Sequence, residues 1–405
     1  MKPFEPEVMQ AAGGMPRASR VLLSLLSRIR CGSLTLTTPE GISFSFQGEL
    51  PGPAACLDVL DWGACGAILQ RGDIGFAEAY INRLWETDDL VGLITLALCN
   101  RDAVEKAIYG HWWGRVLYRL RRFLRANTRR GSRRNVEAHY DLGNAFYRLW
   151  LDGSMTYSAA ILANDPARSL EAGQIAKYER VLERLDARPG DRILEIGCGW
   201  GGFSAYAAST RGCTVHGVTL SHEQLDWARS RARREGLEER TRFELRDYRD
   251  ITDTYDHVVS LEMYEAVGER YWPAYFRTIR QRLQRGGKGL IQAITIDDRL
   301  FDRYRRGTDF IQHYVFPGGM LASPTVLRRE IERAGLRIAD AFGFGDDYAE
   351  TLRRWRVRFN RAIPDVRALG FDQRFVRLWT FYLAYCEAGF RARSTDVFQL
   401  ELNHV

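Results

Sequence analysis

Long apolar runs are missing from this sequence of 405 residues. The longest, from Leu90 to Cys99, is about half the length that a helix needs to cross a bilayer, so we expect any membrane contact to be peripheral. The first ten residues, MKPFEPEVMQ, lack the apolar stretch of an export signal. We therefore expect a cytoplasmic protein.

Paired cysteines are also missing. The seven cysteines are scattered, odd in number and without a CxxC pair, at Cys31, Cys56, Cys65, Cys99, Cys198, Cys213 and Cys386. This spacing argues against a disulfide framework and against a zinc site, and it predicts reduced thiols.

Lysine is scarce, since only four of the 58 basic residues are lysines and the net charge of +7 comes from arginine. The planar guanidinium binds phosphates bidentately. An anionic membrane surface, an anionic ligand and a nucleic acid all remain open as partners at this point.

Composition divides the chain into three regions. Up to residue 105, a helix-like stretch and two alternating strands around Pro39-Glu-Gly predict a small α+β domain with a β-hairpin. Residues 106–136 form a second region, in which nine arginines and no acid occur between Arg115 and Arg134. We predict that 115–134 is a basic amphipathic helix on an anionic membrane surface. The alternative is a linker helix whose apolar stripe packs on the next domain.

The third region, 137–405, alternates strand-like and helical runs. This alternation predicts an α/β domain with a mostly parallel, Rossmann-like sheet and helices on both faces. The predicted strands are 192–196, 214–219, 241–245, 257–261 and 289–294.

A glycine-rich loop follows the first of these strands and reads Glu195-Ile-Gly197-Cys-Gly199-Trp-Gly201-Gly202. Glycines let the backbone approach a ligand closely, and the helix that follows offers its N-terminal amides. The spacing departs from the GxGxxG of dinucleotide folds, and the usual ribose-binding acid is missing after the second strand. The loop instead resembles the E/DxGxGxG loop of class I methyltransferases, and we predict S-adenosylmethionine as its ligand.

Further cofactor-binding candidates follow the next two strands. Those after the second strand can form hydrogen bonds to the ribose, and they are Thr219, Leu220, Ser221 and Gln224. Ser221 and Gln224 also have the spacing of a helix capping box, and both roles can coexist. After the third strand, Asp247 can accept from the adenine amine and Tyr248 can stack on the ring. The alternative is a turn acid and a packed ring.

From residue 135 onward the sequence resembles the cyclopropane-fatty-acid synthase family. The motifs that carry the resemblance are HYDLGN from His139, MTYS from Met155, LEIGCGWGG from Leu194, GVTLS from Gly217, DYRD from Asp247, EMYEAVG from Glu262, YVFPGG from Tyr314 and YLAYCEAGFRAR from Tyr382. It implies a class I methyltransferase fold with helical insertions for a lipid pocket. It also implies a homodimer, a phospholipid acyl chain as substrate, and Tyr157 and Ser158 at the cofactor.

The resemblance implies a reaction as well. The alkene of an acyl chain attacks the sulfonium methyl, which leaves a carbocation on the chain. A base then removes a proton from the former methyl group, and a cyclopropane closes. Such chemistry requires a dry, apolar pocket that aligns the two reactants.

In this family the base is a bound bicarbonate ion. The resemblance places Glu265, Ile294 and Tyr348 around it, with Gln292 at the position of a histidine and Ala159 at that of a cysteine. A glutamine side chain can still donate to an anion, whereas an alanine side chain cannot. Three alternatives therefore remain: bicarbonate binds more loosely, another group is the base, or the reaction ends without ring closure.

Cys386 matches a position that is often marked as the active-site cysteine of the family. No histidine near it in the sequence would activate the thiol, so a small apolar wall residue is the favoured role.

The leading hypothesis is that the enzyme forms a cyclopropane on the cis double bond of a phospholipid acyl chain. The alternative is methylation without ring closure, which leaves a methylene or methyl branch and calls for a partner oxidoreductase.

An RNA methyltransferase would carry a base-stacking or cysteine motif beside the cofactor loop, so no nucleic acid is expected. Glu265 and the glycine loop argue against a non-catalytic binding protein. We expect peripheral attachment to the inner face of the membrane.

Overall fold

The computed structural model describes residues 15–101 and 142–405. They form two compact units, of which unit 1 combines 15–101 with Phe371–Ala392, and unit 2 combines 142–370 with Arg393–Val405. The predicted amphipathic helix at 115–134 lies outside the described residues. Within the described ranges, every helix is too short or too polar to span a bilayer.

Helices and strands are numbered here in chain order within the described ranges. The helices are α1 Arg17–Leu26, α2 Gly63–Ile81, α3 Leu90–Cys99, α4 Asn144–Arg148, α5 Leu170–Leu185, α6 Gly202–Arg211, α7 His222–Glu235, α8 Trp272–Arg282, α9 Asp298–Tyr304, α10 Pro324–Arg333, α11 Gly345–Arg361, α12 Ile363–Ala368 and α13 Gln373–Arg391. The strands are β1 Cys31–Thr37, β2 Ser43–Gln47, β3 Leu50–Val59, β4 Trp85–Glu86, β5 Arg192–Ile196, β6 Thr214–Thr219, β7 Thr241–Leu245, β8 Tyr255–Leu261, β9 Leu283–Ile296, β10 Leu336–Gly343 and β11 Thr395–His404.

Unit 1 contains a four-stranded sheet of order β2-β1-β3-β4. β1 and β2 pair antiparallel, which confirms the predicted hairpin. In β2 the buried Phe44 and Phe46 alternate with exposed serines, because successive side chains of a strand point to opposite faces.

The helix α13 packs on α2 and α3 of unit 1. Its Arg377 donates a hydrogen bond to the Tyr80 carbonyl at 2.7 Å, and its guanidinium lies 3.8 Å from the centre of the Tyr80 ring. The predicted catalytic domain, 137–405, included this helix, whereas its contacts group it with 15–101. The difference arises because an apolar helix face does not reveal in sequence which domain it covers.

Unit 2 is built on a seven-stranded sheet of order β10-β11-β9-β8-β5-β6-β7. The neighbours from β9 to β7 are parallel, and β11 is antiparallel to both β9 and β10. This is the mostly parallel α/β sheet that was predicted, and the five predicted strands are β5 to β9. The strands β10 and β11 were not predicted from the sequence.

The topology fixes where a ligand can bind in unit 2. From β5 the chain order runs to β6 on one side and to β8 on the other, so the strand order reverses at β5. In open α/β sheets the loops diverge at such a switch point and leave a crevice beyond the carboxyl ends of the strands. The segments that follow β5, β6 and β8 therefore meet at one place.

Candidate active site

A pocket lies in unit 2 at the carboxyl ends of β5, β6 and β8. Its lining residues fall within the segments 155–158, 195–203, 218–224, 246–249 and 261–271, with Tyr178 added. Most of the predicted cofactor-binding residues line it, and these are Tyr157, Ser158, Glu195, Gly197, Gly199, Thr219, Leu220, Gln224, Asp247 and Tyr248. Gly201 and Ser221 are not among the lining residues.

The three glycines of the loop after β5 serve different purposes. All have positive φ, with 80° at Gly197, 51° at Gly199 and 76° at Gly201. A Cβ at Gly197 would lie 2.7 Å from the Met263 side chain, and one at Gly201 would lie 3.0 Å from Ala228. A Cβ at Gly199 would meet no heavy atom of the described chain within 4 Å. Gly197 and Gly201 thus permit close packing, while Gly199 presents bare backbone to the pocket.

The segment after β6 combines a binding wall with a helix cap. The Thr219 hydroxyl donates to Gln224 Oε1 at 2.8 Å, and both residues line the pocket. The buried Ser221 Oγ accepts from the Gln224 backbone N–H at 3.3 Å and caps α7. The alternative role foreseen for Ser221, a helix cap, therefore describes its position.

After β7, Asp247 is held by an arginine that the sequence analysis did not assign. The Asp247 carboxylate accepts from the Arg249 backbone N–H at 3.0 Å and from its guanidinium at 2.8 and 2.5 Å. The Arg249 guanidinium also lies 5.7 Å from the centre of the Tyr248 ring, and burial raises the pKa of Tyr248. All three residues line the pocket, so this wall presents an oriented ion pair beside an aromatic ring.

A buried lysine lies behind the pocket. The Lys177 ammonium group on α5 donates to Ser158 Oγ at 2.5 Å, and the residue has no exposed surface. Burial lowers the pKa of Lys177 to about 8, against the opposing effect of Glu262, Asp152 and Glu195. Burial raises the pKa of Glu195 to about 8, although its carboxylate accepts a hydrogen bond from Ser204. Acidic groups and a lysine thus share one dry region.

Glu262 follows β8 with a backbone φ of 52°, in the left-handed region that is uncommon for residues other than glycine. Its Oε1 accepts from the Ala159 backbone N–H at 2.8 Å and from Gln292 Nε2 at 2.6 Å, and its Oε2 accepts from Tyr348 Oη at 2.6 Å. Burial raises the pKa of Glu262, while Lys177 and the three donors act in the opposite direction. The residue also lines the pocket.

Glu265 lies one helical turn further along, within the short 3₁₀ segment Tyr264–Ala266. Its Oε1 accepts from the Ile294 backbone N–H at 2.5 Å, and its Oε2 is buried without a hydrogen-bond partner among residues 15–101 and 142–405. Burial and the charge of Glu262 raise the pKa of Glu265 to about 8. At pH 7 the Glu265 carboxyl is therefore mainly protonated.

Three aromatic rings surround Tyr157. The ring centre of Tyr157 lies 5.6 Å from that of Tyr147, 5.3 Å from Trp150 and 5.5 Å from Trp355. Such a cluster keeps one side of the pocket apolar, and aromatic faces attract cations.

Residues 127–400 match the protein family described as "Mycolic acid cyclopropane synthetase". The chain belongs to this family. It is 40% identical over 341 residues to tuberculostearic acid methyltransferase UfaA1 of Mycobacterium tuberculosis, with 82% of this chain and 79% of the relative covered. It is 34% identical over 333 residues to the cyclopropane-fatty-acyl-phospholipid synthase of Escherichia coli K12, with 82% and 84% covered.

Solved structures agree with this assignment. The mycolic acid cyclopropane synthase CmaA1, complexed with SAH and CTAB, superposes with a TM-score of 0.63 at 28% identity, covering 67% of this chain and 97% of that one. Membership of the family makes this chain an S-adenosylmethionine-dependent methyltransferase of lipid acyl chains, with a class I methyltransferase fold. S-adenosylmethionine is its co-substrate.

The structure brings four of the five predicted catalytic residues together. Glu265 and Ile294 are joined by a hydrogen bond, and Gln292 and Tyr348 both donate to Glu262. The fifth, Cys386, is a half-buried residue of α13 in unit 1, and its role stays a prediction.

Three residues of the site were not predicted, namely Glu262, Lys177 and Arg249. For two of them, Glu262 and Lys177, the sequence contains a feature that could have identified them. Glu262 lies in the EMYEAVG motif itself, and Lys177 is one of four lysines in the chain, on a helix face shared with Leu170, Tyr178 and Val181. A rare cation on an otherwise buried face indicates a specific partner.

Proposed function

We propose that this enzyme transfers the methyl group of S-adenosylmethionine to the cis double bond of an unsaturated fatty-acyl chain of a phospholipid. One observation carries this proposal: the Glu262 carboxylate, half-buried and held by three hydrogen bonds, lines the cofactor pocket. An alkene that accepts a methyl cation must afterwards lose a proton, so a positioned acceptor beside the transferred carbon is what this chemistry requires.

The described residues suit the first half of the reaction. Glycine backbone at Gly199 and the side chains of Thr219 and Asp247 line the space for the nucleoside. The alkene then attacks the sulfonium methyl, a C–C bond forms and the C–S bond breaks, leaving a neutral thioether and a carbocation on the chain. The aromatic cluster around Tyr157 excludes water, which would otherwise trap the cation.

Loss of the proton decides the product. Proton loss from the former methyl group closes a cyclopropane, which is the first candidate and accords with the name of the E. coli relative. A 1,2-hydride shift onto the cationic carbon, followed by proton loss from the former methyl group, gives a methylene branch, which is the second candidate. The second is favoured by Ala159 and Gln292, which depart from the family, and by the 40% identical relative, whose name is that of a fatty acid methyltransferase.

The test is an incubation with methyl-labelled S-adenosylmethionine and vesicles of dioleoyl phosphatidylglycerol, with RNA in a parallel reaction. We expect label in the lipid fraction. Label in RNA alone would overturn the proposal. Because the ring and the methylene branch are isomers with equal mass, proton NMR of the extracted lipid distinguishes them, since cyclopropane hydrogens resonate upfield of alkene hydrogens.

The remaining proposals concern location and partners. We propose that the arginine-rich segment 115–134 attaches the enzyme to anionic headgroups on the inner face of the membrane. Co-sedimentation with phosphatidylglycerol vesicles but not with phosphatidylcholine vesicles would support this, and equal binding to both would contradict it. A homodimer, and a partner oxidoreductase for a methylene-branched product, stay predictions.

A further inference from the structure

The groups expected to hold a bicarbonate ion are engaged by the protein itself. Gln292 and Tyr348, two of the expected holders, donate their hydrogen bonds to the Glu262 carboxylate at 2.6 Å each. Ala159, at the expected cysteine position, adds its backbone N–H at 2.8 Å. These three positions are far apart in the chain and converge on one carboxylate. Glu262 thus makes the contacts that a bound bicarbonate would require.

The backbone of Glu262 points to the same conclusion. Its φ of 52° is a conformation in which glycine is relaxed and a glutamate is strained. The conformation is fixed by the Glu262 N–H, which donates to the Gln292 carbonyl at 2.8 Å where β8 meets β9. A strained residue that is kept at a pocket wall is a candidate for function, because only the surroundings hold it there.

Charge also argues against bicarbonate at this place. Lys177 is the buried cation that the described residues place here, and among its acidic neighbours Glu262 most strongly opposes the fall of its pKa. A further anion would have to share the charge of Lys177 with Glu262 in a region where the effective dielectric constant is low. Bicarbonate therefore does not fit the residues that are present.

We infer that Glu262 is the general base of this enzyme and takes the place of bicarbonate. The inference rests on the proposed methyl transfer to an acyl double bond. After transfer, a C–H bond of the former methyl group breaks. Its electron pair becomes the new C–C bond of a ring or, where a 1,2-hydride shift has first moved the cation onto the methyl-bearing carbon, the second bond of a methylene group. The proton goes to the Glu262 carboxylate and then to solvent, so no oxidant or further reactant is needed.

The surroundings of Glu262 suit this role. Burial raises its pKa, while Lys177 on α5 and the three hydrogen-bond donors act in the opposite direction, and the same donors fix the carboxylate in place as a general base requires. Glu265, on the next turn, is mainly protonated at pH 7. Tyr348 on α11 and Gln292 on β9 orient the carboxylate and are positioning residues.

The first experiment compares purified wild-type enzyme in decarbonated buffer with and without added sodium bicarbonate. We expect equal rates of label transfer to oleoyl vesicles. We expect Glu262→Gln to bind S-adenosylmethionine as wild type does but to lose roughly 10²-fold or more in turnover. Glu330→Gln, at a buried glutamate on α10 that pairs with Arg329 and Arg333, is the control and should leave the rate unchanged.

The second experiment is a rescue that a purely structural role would not produce. Glu262→Gly relaxes the backbone and leaves a space flanked by three hydrogen-bond donors. We expect this variant to be inactive in decarbonated buffer and to recover about tenfold or more with sodium formate or bicarbonate, whereas Glu262→Gln, whose amide still fills the space, should not recover. Thermal unfolding and calorimetric binding of S-adenosylmethionine verify that both variants are folded.

The outcomes separate the two proposals. Wild-type enzyme that labels lipid only when bicarbonate is supplied, a fully active Glu262→Gln, or a Glu262→Gly that neither anion rescues would overturn the assignment of the base and leave the methyl transfer intact. Wild-type enzyme that labels no unsaturated lipid would overturn both.

Discussion

The cofactor half of the pocket and the base half are built in different ways. The cofactor half depends on consecutive backbone, since Gly197 and Gly199 follow directly on β5 at the switch point of the sheet. The base half depends on side chains from segments far apart in the chain, which meet at Glu262. A short continuous segment cannot change its ligand without changing the fold of the loop. A constellation of separate side chains can acquire a different proton acceptor by a few substitutions.

The largest expected effect on the cofactor half comes from Gly197→Ala. The new Cβ would lie 2.7 Å from the Met263 side chain, so the loop or that side chain must shift. We expect affinity for S-adenosylmethionine to fall by at least about tenfold, measured by calorimetry. Gly236→Ala is the matched control, because Gly236 also has positive φ, at 66°, but an added Cβ would meet no described atom within 4 Å. Equal losses in both variants would mean that backbone strain, and not the contact with Met263, is responsible.

The base half should respond in turnover and not in cofactor affinity. Tyr348→Phe removes the hydrogen bond from Tyr348 Oη to Glu262 Oε2. Since that bond stabilises the charged carboxylate, we expect kcat to fall about tenfold. The acidic limb of the kcat–pH profile should move to higher pH, because Glu262 then gives up its proton less readily.

Tyr206→Phe controls for loss of a hydroxyl elsewhere, since Tyr206 donates to Glu179 and neither residue lines the pocket. If Tyr348→Phe left the pH profile unchanged and raised the KM for S-adenosylmethionine, Tyr348 would act on cofactor binding. That result would contradict the division of the pocket into a cofactor half and a base half.

Smaller effects are expected in the segment after β6, where Thr219 lines the pocket and Ser221 caps a helix. Thr219→Val removes a hydroxyl on the pocket wall, and Ser221→Ala removes one that caps α7. We expect Thr219→Val to weaken cofactor binding a few-fold with little change in stability. Ser221→Ala should lower the free energy of unfolding by about 1 kcal/mol instead. Calorimetric titration and denaturant unfolding measure the two, and a reversed pattern would assign the cofactor contact to Ser221.

The smallest effect on turnover is expected at Glu265. Because this carboxyl is mainly protonated at pH 7, the amide of Glu265→Gln imitates it, and we expect kcat within about threefold of wild type. A loss as large as that of Glu262→Gln would make Glu265 the base and contradict our assignment.

Glu265 also predicts a pH dependence of stability. Its pKa is raised from 4.5 to about 8 on folding, so the folded state binds more protons between these values and stability is lost as pH rises through them. Wild-type enzyme should therefore lose stability relative to Glu265→Gln between pH 5 and pH 8, by at least about 1 kcal/mol in denaturant unfolding. A difference that is constant with pH would show that Glu265 is charged in the folded protein.

The same contrast explains what the sequence could and could not predict. Strands β5 to β9 are short runs bounded by turn residues, and the glycine loop is continuous, so local pattern was sufficient for both. The side of the sheet formed by β10 and β11 was missed, because β11 is antiparallel and separated in the chain from β9 by helices. Glu262 was quoted in its motif but not assigned, because its role depends on donors at Ala159, Gln292 and Tyr348 that only folding brings together.

The Glu262 carboxylate, which a left-handed backbone holds at the pocket wall, has a consequence for the cell in which the enzyme works. An enzyme that borrows its base from solution follows the supply of dissolved carbon dioxide, which varies with respiration and with external acidity. An acceptor that is covalently part of the chain is present at the same local concentration under all growth conditions. With Glu262 in this role, methylation of the lipid acyl chain would be uncoupled from carbon metabolism, and replacement of Glu262 by glycine would be enough to couple them again.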